Sequence, residues 1–226
     1  MSRVLPILFN TDMVHAIVDG RKTVTRRIIK PQPVYFPNDG FHWKGAAYGT
    51  DLPRTVKGAA HNFRCAAPYQ RGDILYVRET WQHLYELDGN EQIIEGTEKY
   101  YYAATDIIPF DTYVDSSGIT HDKTPWRPSI HMPKEAARIF LRVKDVRVER
   151  LQDITDEGAY REGAGDKDVI YQTGARVLEF AKIWDSTIKK SDMEKYGWNA
   201  NPWVWVIEFE QCEKPEEWKL VRRKGG

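Results

Sequence analysis

Several features that would assign this 226-residue chain to a familiar class of protein are missing from it. Cysteine is scarce: Cys65 and Cys212 stand far apart, so neither a disulfide framework nor a metal knuckle is implied, and a reducing cytoplasm fits best. No run reaches the roughly 18 apolar residues that a membrane-spanning helix needs. The histidines include no pair at the spacing of metal ligands on one helix turn. We therefore expect a soluble cytoplasmic protein that has no membrane segment, no metal and no other cofactor.

Net charge is also absent, because 33 basic residues balance 33 acidic ones. A neutral chain argues against a generic nucleic-acid coat, although a local basic patch remains compatible with it. The cations concentrate in residues 1–30 and 125–150, and the acidic stretch 83–124 lies between them. Two interpretations stay open at this point: a solvated surface, or an anion-binding face that the two basic stretches share.

The pattern of apolar residues predicts an α+β fold. Strands alternate with short helices, and the strands are few and widely separated, which suggests a closed or nearly closed mixed barrel. We expect a single elaborated domain over residues 1–212, followed by a basic C-terminal tail at 213–226. The predicted strands cover residues 3–9, 22–29, 73–79, 99–103, 139–148 and 203–210, and the predicted helices follow residues 10, 154 and 174.

Two stretches interrupt this pattern. Residues 31–70 are rich in proline and glycine, and residues 83–124 are polar, acidic and turn-rich, so we interpret both as inserted excursions. A one-residue slip in the apolar alternation predicts a β-bulge near Lys144 and Asp145. In the segment 155–163, Thr155 is the predicted N-cap of a short helix, and Gly163 is its predicted end.

A cationic segment follows the first predicted helix, at residues 20–27. If Lys22 is the first residue of the strand, alternation puts Arg26 on the same face as Lys22 and puts Thr25 and Arg27 on the opposite face. A turn or bulge just after Lys22 would instead let Lys22 join Thr25 and Arg27. The segment is not a phosphate loop, because it lacks the Gly-Lys-Ser/Thr ending. Cations at a helix C-terminus also complement the helix dipole without any further function.

The spacing Gly20-x-Lys22-x-x-Thr25-x-Arg27 resembles the signature of the ASCH superfamily. Members of that superfamily share a PUA-like barrel and are thought to handle RNA or modified nucleosides. The resemblance therefore implies a PUA-like mixed β-barrel with short flanking helices and two long excursions. Further matching segments follow in order at residues 72–79, 139–155 and 203–209.

A narrower resemblance links the chain to the ASCH-like proteins of phages and prophages. The length of the chain and the segments 78–81 and 126–133 carry it. The resemblance covers most of the predicted strands and neither excursion. For a phage-encoded protein, it places the chain in the cytoplasm of the host.

Some small ASCH proteins are amidohydrolases that remove the acetyl group from N(4)-acetylcytidine. They use a lysine as proton acceptor, a threonine as nucleophile and a glutamate as proton donor, and the resemblance places these roles on Lys22, Thr25 and Glu162. A lysine can act as this base only if burial or neighbouring cations lower its pKa. The residues expected to bind substrate are Arg21, Arg26, Arg27, Arg78, Glu79, Trp126, Arg127, Ser129 and His131.

Three functions stay open on the sequence. The first is binding of a nucleotide, modified nucleobase or RNA in a basic pocket, with hydrolysis of an N(4)-acylated cytidine as its concrete form. The second is a catalytically silent module that binds single-stranded nucleic acid, and the third is a phage accessory or assembly protein. We expect Lys22, Thr25 and Arg27 to line one pocket with Glu162 at its rim, although Glu162 also has a simpler interpretation as an exposed residue at a helix end.

Overall fold

The structure, a computed structural model, describes residues 2–49, 55–86, 88–90, 92–108, 113–114, 117–121, 126–165 and 173–219. The α+β class predicted from the sequence is confirmed. The strands are β1 (Val4–Leu8), β2 (Val24–Ile28), β3 (Val34–Phe36), β4 (Gly40–Trp43), β5 (Ala46–Tyr48), β6 (Ile74–Arg78), β7 (Trp81–Leu84), β8 (Lys99–Tyr102), β9 (Tyr113–Val114), β10 (Thr120–His121), β11 (Phe140–Arg150) and β12 (Trp203–Cys212). The helices are α1 (Thr11–Val18), α2 (Val56–Phe63), α3 (Asp156–Arg161), α4 (Ala175–Ser186), α5 (Met193–Tyr196) and α6 (Glu216–Lys219).

The chain folds as two compact units that share the sequence in alternating pieces. The first unit contains Asp19–Ile74 and Leu141–Gln211, and the second contains Val4–Val18 and Leu75–Phe140. Within each unit, the sheets formed by the described strands are open, and none of them closes into a barrel. The single domain over residues 1–212 stays a prediction. None of the described helices combines the length and the apolar character that crossing a membrane requires.

In the first unit, the strand order is β11-β12-β2. β2 and β12 are antiparallel, and valines from both strands point to one face of the sheet. Helices α3 and α4 cover that face, where burying each large apolar side chain contributes about 1.5–3 kcal/mol. The buried cluster on this face consists of Val24, Leu151, Ile154, Ala159, Ala164, Phe180, Trp184, Val204 and Val206.

The described residues of the excursion, 31–49 and 55–70, form an ordered part of the same unit. It forms the antiparallel sheet β3-β4-β5 and helix α2. Its aromatic side chains pack on the other side of β12: the ring of Phe41 lies 4.8 Å from that of Trp203, and the ring of Phe63 lies 4.9 Å from that of Trp205. β12 is therefore buried on both faces, which its apolar run of residues explains.

Helix α3 begins and ends where the sequence predicts. The Thr155 hydroxyl accepts a hydrogen bond from the backbone N–H of Gly158 at 3.0 Å and caps the helix. Gly163 follows the last turn with a φ of 95°, a left-handed conformation that glycine adopts without strain. Glu162 is the C-cap residue between them. The cap and the glycine together fix where the Glu162 side chain leaves the helix.

β11 shows the one-residue slip that the sequence predicts. Burial alternates in one phase up to Val143 and in the opposite phase from Val146 onward. The two residues between them, Lys144 and Asp145, are not buried. The slip lets both halves of the strand turn valine side chains into the core.

The second unit contains β1, paired with β6, the antiparallel pair β7 and β8, and helix α1. Its C-terminal segment is more ordered than a simple tail. Trp218, in α6, is buried, and its ring lies 5.0 Å from the ring of Tyr76 and 5.4 Å from that of Phe140. Residues 220–226, the remainder of the predicted basic tail, lie outside the described part.

Asp73 ties the N-terminal residues to the turn before β6. Its buried carboxylate accepts hydrogen bonds from the backbone N–H of Gln70 at 2.7 Å and from Nε of Arg3 at 3.1 Å, and it forms an ion pair with the Arg3 guanidinium. Burial alone would raise the pKa of Asp73, but these hydrogen bonds lower it below its ordinary value of 3.8. Asp73 therefore stabilises the fold above that pH, and the contribution disappears as the pH falls through the lower folded-state pKa.

Replacing Asp73 with asparagine is expected to lower the free energy of unfolding at neutral pH by about 1–3 kcal/mol, because hydrogen bonds to a charged acceptor are lost. The difference between the two proteins should shrink as the pH falls below the folded-state pKa of Asp73, where the wild-type carboxyl is also neutral. Urea unfolding followed at several pH values measures both effects. The exposed Asp12→Asn variant is the matched control, and a pH-independent difference for Asp73→Asn would contradict the assignment.

Candidate functional site

Lys22 and Glu162 meet in the first unit, although 140 residues separate them in the sequence. Lys22 Nζ donates hydrogen bonds to Glu162 Oε2 at 2.7 Å, to the Glu162 backbone carbonyl at 2.7 Å and to the Val24 carbonyl at 2.9 Å. Lys22 is 3% exposed and Glu162 is 4% exposed. The interpretation of Glu162 as an exposed helix-end residue is therefore wrong, because the side chain turns inward from the end of α3 to meet a buried ammonium group.

Arg26 completes this buried cluster. Its Nη1 donates to Glu162 Oε1 at 3.1 Å, and its Nη2 donates to Glu149 Oε2 at 3.2 Å. Arg26 is 7% exposed. Each oxygen of the Glu162 carboxylate therefore has its own cationic partner, one from Lys22 and one from Arg26.

The electrostatics of Lys22 follow from its burial. Burial lowers the pKa of Lys22 below its ordinary value of 10.5 by more than the Glu162 carboxylate raises it, and the positive charges of Arg27 and Arg26 lower it further. Burial also lowers the pKa of Arg27 and raises that of its neighbour Tyr69. The predicted requirement for a lysine base, a lowered pKa, is present at Lys22.

The cationic residues of β2 point to two faces of the strand. In the register with β12, Thr25 lies opposite Ile207 and Arg27 lies opposite Trp205, so Thr25 and Arg27 share one face. Arg26 lies between them and points to the other face, toward α3. Of the two arrangements that the sequence left open, the structure has the one in which Lys22 lies with Arg26, since both contact Glu162, while Thr25 and Arg27 share the other face.

Lys22 precedes the strand and places its amino group at the edge of β2. The Thr23 carbonyl accepts a hydrogen bond from the Phe209 N–H at 2.9 Å, so the odd-numbered residues of β2 bond to β12. The Val24 carbonyl consequently faces the opposite edge, where Lys22 Nζ binds it. Thr25 is 4% exposed, and no hydrogen bond joins its hydroxyl to another residue in the described part of the chain.

An ion-pair chain leads outward from this cluster across the sheet. Arg147 contacts Glu149 at 3.0 Å and Glu208 at 3.2 Å, and Glu208 contacts Arg161 at 2.7 Å. Arg161 Nε then donates to the Thr23 hydroxyl at 3.0 Å. Glu149 was not predicted to belong to this arrangement. Its alternation with buried valines in β11 was the one available signal, and the sequence did not indicate which cations it would contact.

Arg21 has a local structural contact. Its guanidinium donates to the carbonyls of Gly163 at 3.3 Å and Gly165 at 3.1 Å, and thereby holds the loop that follows α3. The loop carries the residue next to Glu162. Arg21 therefore supports the position of the glutamate by bonding to backbone atoms.

The remaining predicted residues belong to the second unit. Arg78 Nε donates to the Met132 carbonyl at 2.9 Å, and its Nη2 bonds the Ile130 carbonyl, so it clamps the turn Ser129–His131. His131 is exposed, whereas Ser129 and Trp126 are half-buried. The exposed Arg127 has its guanidinium 5.3 Å from the ring centroid of Trp81.

Glu79 forms a second buried ion pair, inside the second unit. It is 1% exposed and accepts two parallel hydrogen bonds from Arg138, at 2.9 and 2.8 Å. The Arg138 guanidinium also lies 3.9 Å from the ring centroid of Tyr102. Burial raises the pKa of Tyr102 to about 12. Both carboxylate oxygens of Glu79 are occupied by this partner.

Comparisons of the chain with protein families, with curated protein sequences and with solved structures found no match. Within the described ranges, no three histidine, cysteine, aspartate or glutamate side chains gather to hold a metal ion. The chemistry of the site must therefore be argued from Lys22, Glu162 and their neighbours.

Proposed function

We propose that this chain is an ASCH-like protein that binds a nucleoside, nucleotide or RNA segment beside Lys22 and Glu162, and that it hydrolyses the amide of an N(4)-acylated cytidine there. The observation that carries the proposal is the 2.7 Å contact between Lys22 Nζ and Glu162 Oε2, which the resemblance assigns as base and acid. The PUA-like barrel belongs to the same proposal.

Burial makes a purely stabilising role a weak explanation for this pair. The cost of removing two charges from water offsets much of their attraction, and apolar residues of similar volume would often serve a core as well. Buried titratable groups with shifted pKa values are concentrated at functional sites. Lys22 has such a shift, and burial is its largest cause.

Lys22 and Glu162 together hold the one proton that the proposed hydrolysis needs. One proton transfer along the hydrogen bond converts the ammonium and carboxylate into a neutral amine on Lys22 and a carboxylic acid on Glu162. Burial favours the uncharged form of Lys22, and a substrate that excluded water would favour it further. A base and an acid then stand ready together.

The reaction would proceed in two balanced steps. The Lys22 amine, which lies at the edge of β2 where its two faces meet, would take the proton of the Thr25 hydroxyl. Oγ1 would bond to the acyl carbon, and the bond to the cytosine N4 would break as Glu162 protonates that nitrogen. Water then attacks the acyl carbon and loses a proton to the Glu162 carboxylate, and the bond to Oγ1 breaks as the Lys22 ammonium returns a proton to the Thr25 oxygen, which releases acetic acid and restores Thr25. Arg27, on the same face as Thr25, is positioned to stabilise the oxyanion.

A second candidate, the silent nucleic-acid-binding module, is favoured by two observations. Both oxygens of Glu162 are engaged by Lys22 and Arg26, as in a purely structural cluster. The Thr25 hydroxyl also has no hydrogen bond to a base among the described residues. In this alternative the cationic strand contacts phosphate and performs no chemistry.

The experiment that separates the candidates measures turnover and binding on the same wild-type sample. Cytidine formed from N(4)-acetylcytidine is measured by chromatography, and binding of the nucleoside and of single-stranded RNA is measured by calorimetry at low and high salt. Turnover supports the enzyme. Binding without turnover, weakened by salt, supports the silent module. If the sample shows neither binding nor turnover, both candidates are rejected, and the accessory or assembly protein remains.

A further inference from the structure

The first unit also contains a cavity of about 1000 Å³ that none of Lys22, Thr25 and Glu162 lines. One wall is formed by six consecutive residues of β11, 145–150. The opposite wall is one face of α2, and the end is closed by aromatic and acidic side chains. The lining residues outside β11 are Tyr35, Val56, Lys57, Ala60, His61, Arg64, Asp153 and Trp203.

The wall formed by β11 is a strand edge that none of the described strands covers. On this side of β11, pairing ends at Val143, which exchanges backbone hydrogen bonds of 2.9 Å with Gly72 and Asp73. Among the described strands, β12 accompanies residues 145–150 only on the other side. Alternate backbone N–H and C=O groups of this segment therefore face the cavity, and an extended chain can pair with them.

The charges in the cavity are unequally compensated. Asp145 and Glu149 are both held by Arg147, at 3.4 and 3.0 Å, so the acids of the strand wall are neutralised. Lys57 and His61 on α2 are exposed, and neither has a carboxylate partner in the described part of the chain. The helix wall therefore offers the cationic side chain of Lys57, which complements acidic groups on a ligand.

Apolar surface accompanies these polar groups. Val146 and Val148, which are 3% and 7% exposed, are among the residues that line the cavity beside the strand edge. At its end, the Arg150 guanidinium lies 4.2 Å from the ring centroid of Trp203, which keeps the aromatic surface in place. A strand bound along β11 would send alternate side chains to opposite sides of its backbone, so one set could be apolar and the other acidic.

We infer that this cavity is a docking groove for an extended acidic peptide segment of another protein, which adds a strand to β11. An open strand edge facing a helix across a groove is a recurring way of binding peptides through main-chain hydrogen bonds. A nucleic acid has no matching ladder of donors and acceptors.

The test uses fluorescein-labelled ten-residue peptides that alternate valine with glutamate, and anisotropy as the readout. We expect the acidic peptide to bind and its valine–lysine counterpart to bind about tenfold more weakly or not at all, because like charges would meet on α2. Two further acidic peptides carry N-methyl groups on all valines or on all glutamates. Only one of these two should lose binding, since a single edge of the peptide faces β11.

Variants of the chain locate the binding. Lys57→Glu is expected to weaken binding of the acidic peptide about fivefold. Lys182→Glu, the same change at an exposed position of α4, should leave this binding unchanged. Bound peptide should also slow amide hydrogen exchange in residues 145–150. The inference is overturned if the acidic peptide does not bind, or if both N-methylated peptides change binding equally. It is also overturned if a ten-residue oligouridine binds in place of the peptide and Lys57→Glu weakens that binding.

Discussion

Glu162→Ala is expected to lower the free energy of unfolding by about 3–5 kcal/mol, because it leaves two buried cations without their shared carboxylate. Lys22 loses the partner at 2.7 Å, and Arg26 loses the one at 3.1 Å. Arg26 keeps Glu149, and Lys22 keeps its hydrogen bonds to the backbone carbonyls of Val24 and Glu162. Urea unfolding at neutral pH measures the loss directly.

The same experiment includes two companion variants. Glu162→Gln retains a carbonyl acceptor and the shape of the side chain, so it should cost less than the alanine variant. Glu194→Ala removes an exposed glutamate from α5 and should change the unfolding free energy by no more than about 0.5 kcal/mol. Equal stability of Glu162→Ala and the wild type would show that the buried cluster is not formed in solution.

Thr25→Val is expected to abolish turnover of N(4)-acetylcytidine, by a factor of at least about 10³, if the proposed hydrolysis is correct. Valine has the shape of threonine without its hydroxyl, so the nucleophile alone is removed. The hydroxyl bonds to no other described residue, and its loss therefore leaves no buried group unsatisfied. Stability and nucleoside binding should stay close to those of the wild type.

Three comparisons make the Thr25 experiment decisive. Thr25→Ser restores a hydroxyl and should retain measurable turnover. Lys22→Ala should lose as much activity as Thr25→Val, because base and nucleophile act as a unit. The rate should also fall as the pH rises through a lysine pKa below 10.5, since the pair then loses the one proton that Glu162 must deliver to the leaving nitrogen. Full activity of Thr25→Val would exclude the acyl-threonine mechanism and leave direct attack by water.

Local structure was largely predictable from the sequence. Helix α3 has its cap at Thr155 and its end at Gly163, because both signals act through hydrogen bonds and dihedral angles within one or two turns. The phase slip in β11 follows equally from the order of its valines. Strand β12 was predicted as a strand with one apolar face, but its second face is buried as well, since α3 and α4 cover it.

The excursion at residues 31–70 shows the limit of such signals. Its composition predicted an inserted excursion without identifying its elements, and the structure shows three short strands and α2 there. Strands as short as β3 and β5 are too brief for a period of two residues to stand out. Packing of Phe41 and Phe63 against tryptophans of β12 stabilises the segment, and those partners lie far away in the sequence.

By itself, the sequence determined the α+β class, the elements with clear periodicity, and the presence of a cationic segment at residues 20–27. Only the tertiary structure decided that Lys22 and Arg26 converge on Glu162, that Thr25 and Arg27 face the other way, and that β11 has an open edge. The physical reason is the distance along the sequence over which each kind of interaction acts. Periodicity and caps act between neighbours, whereas an ion pair across 140 residues and the end of strand pairing depend on which distant segments pack together.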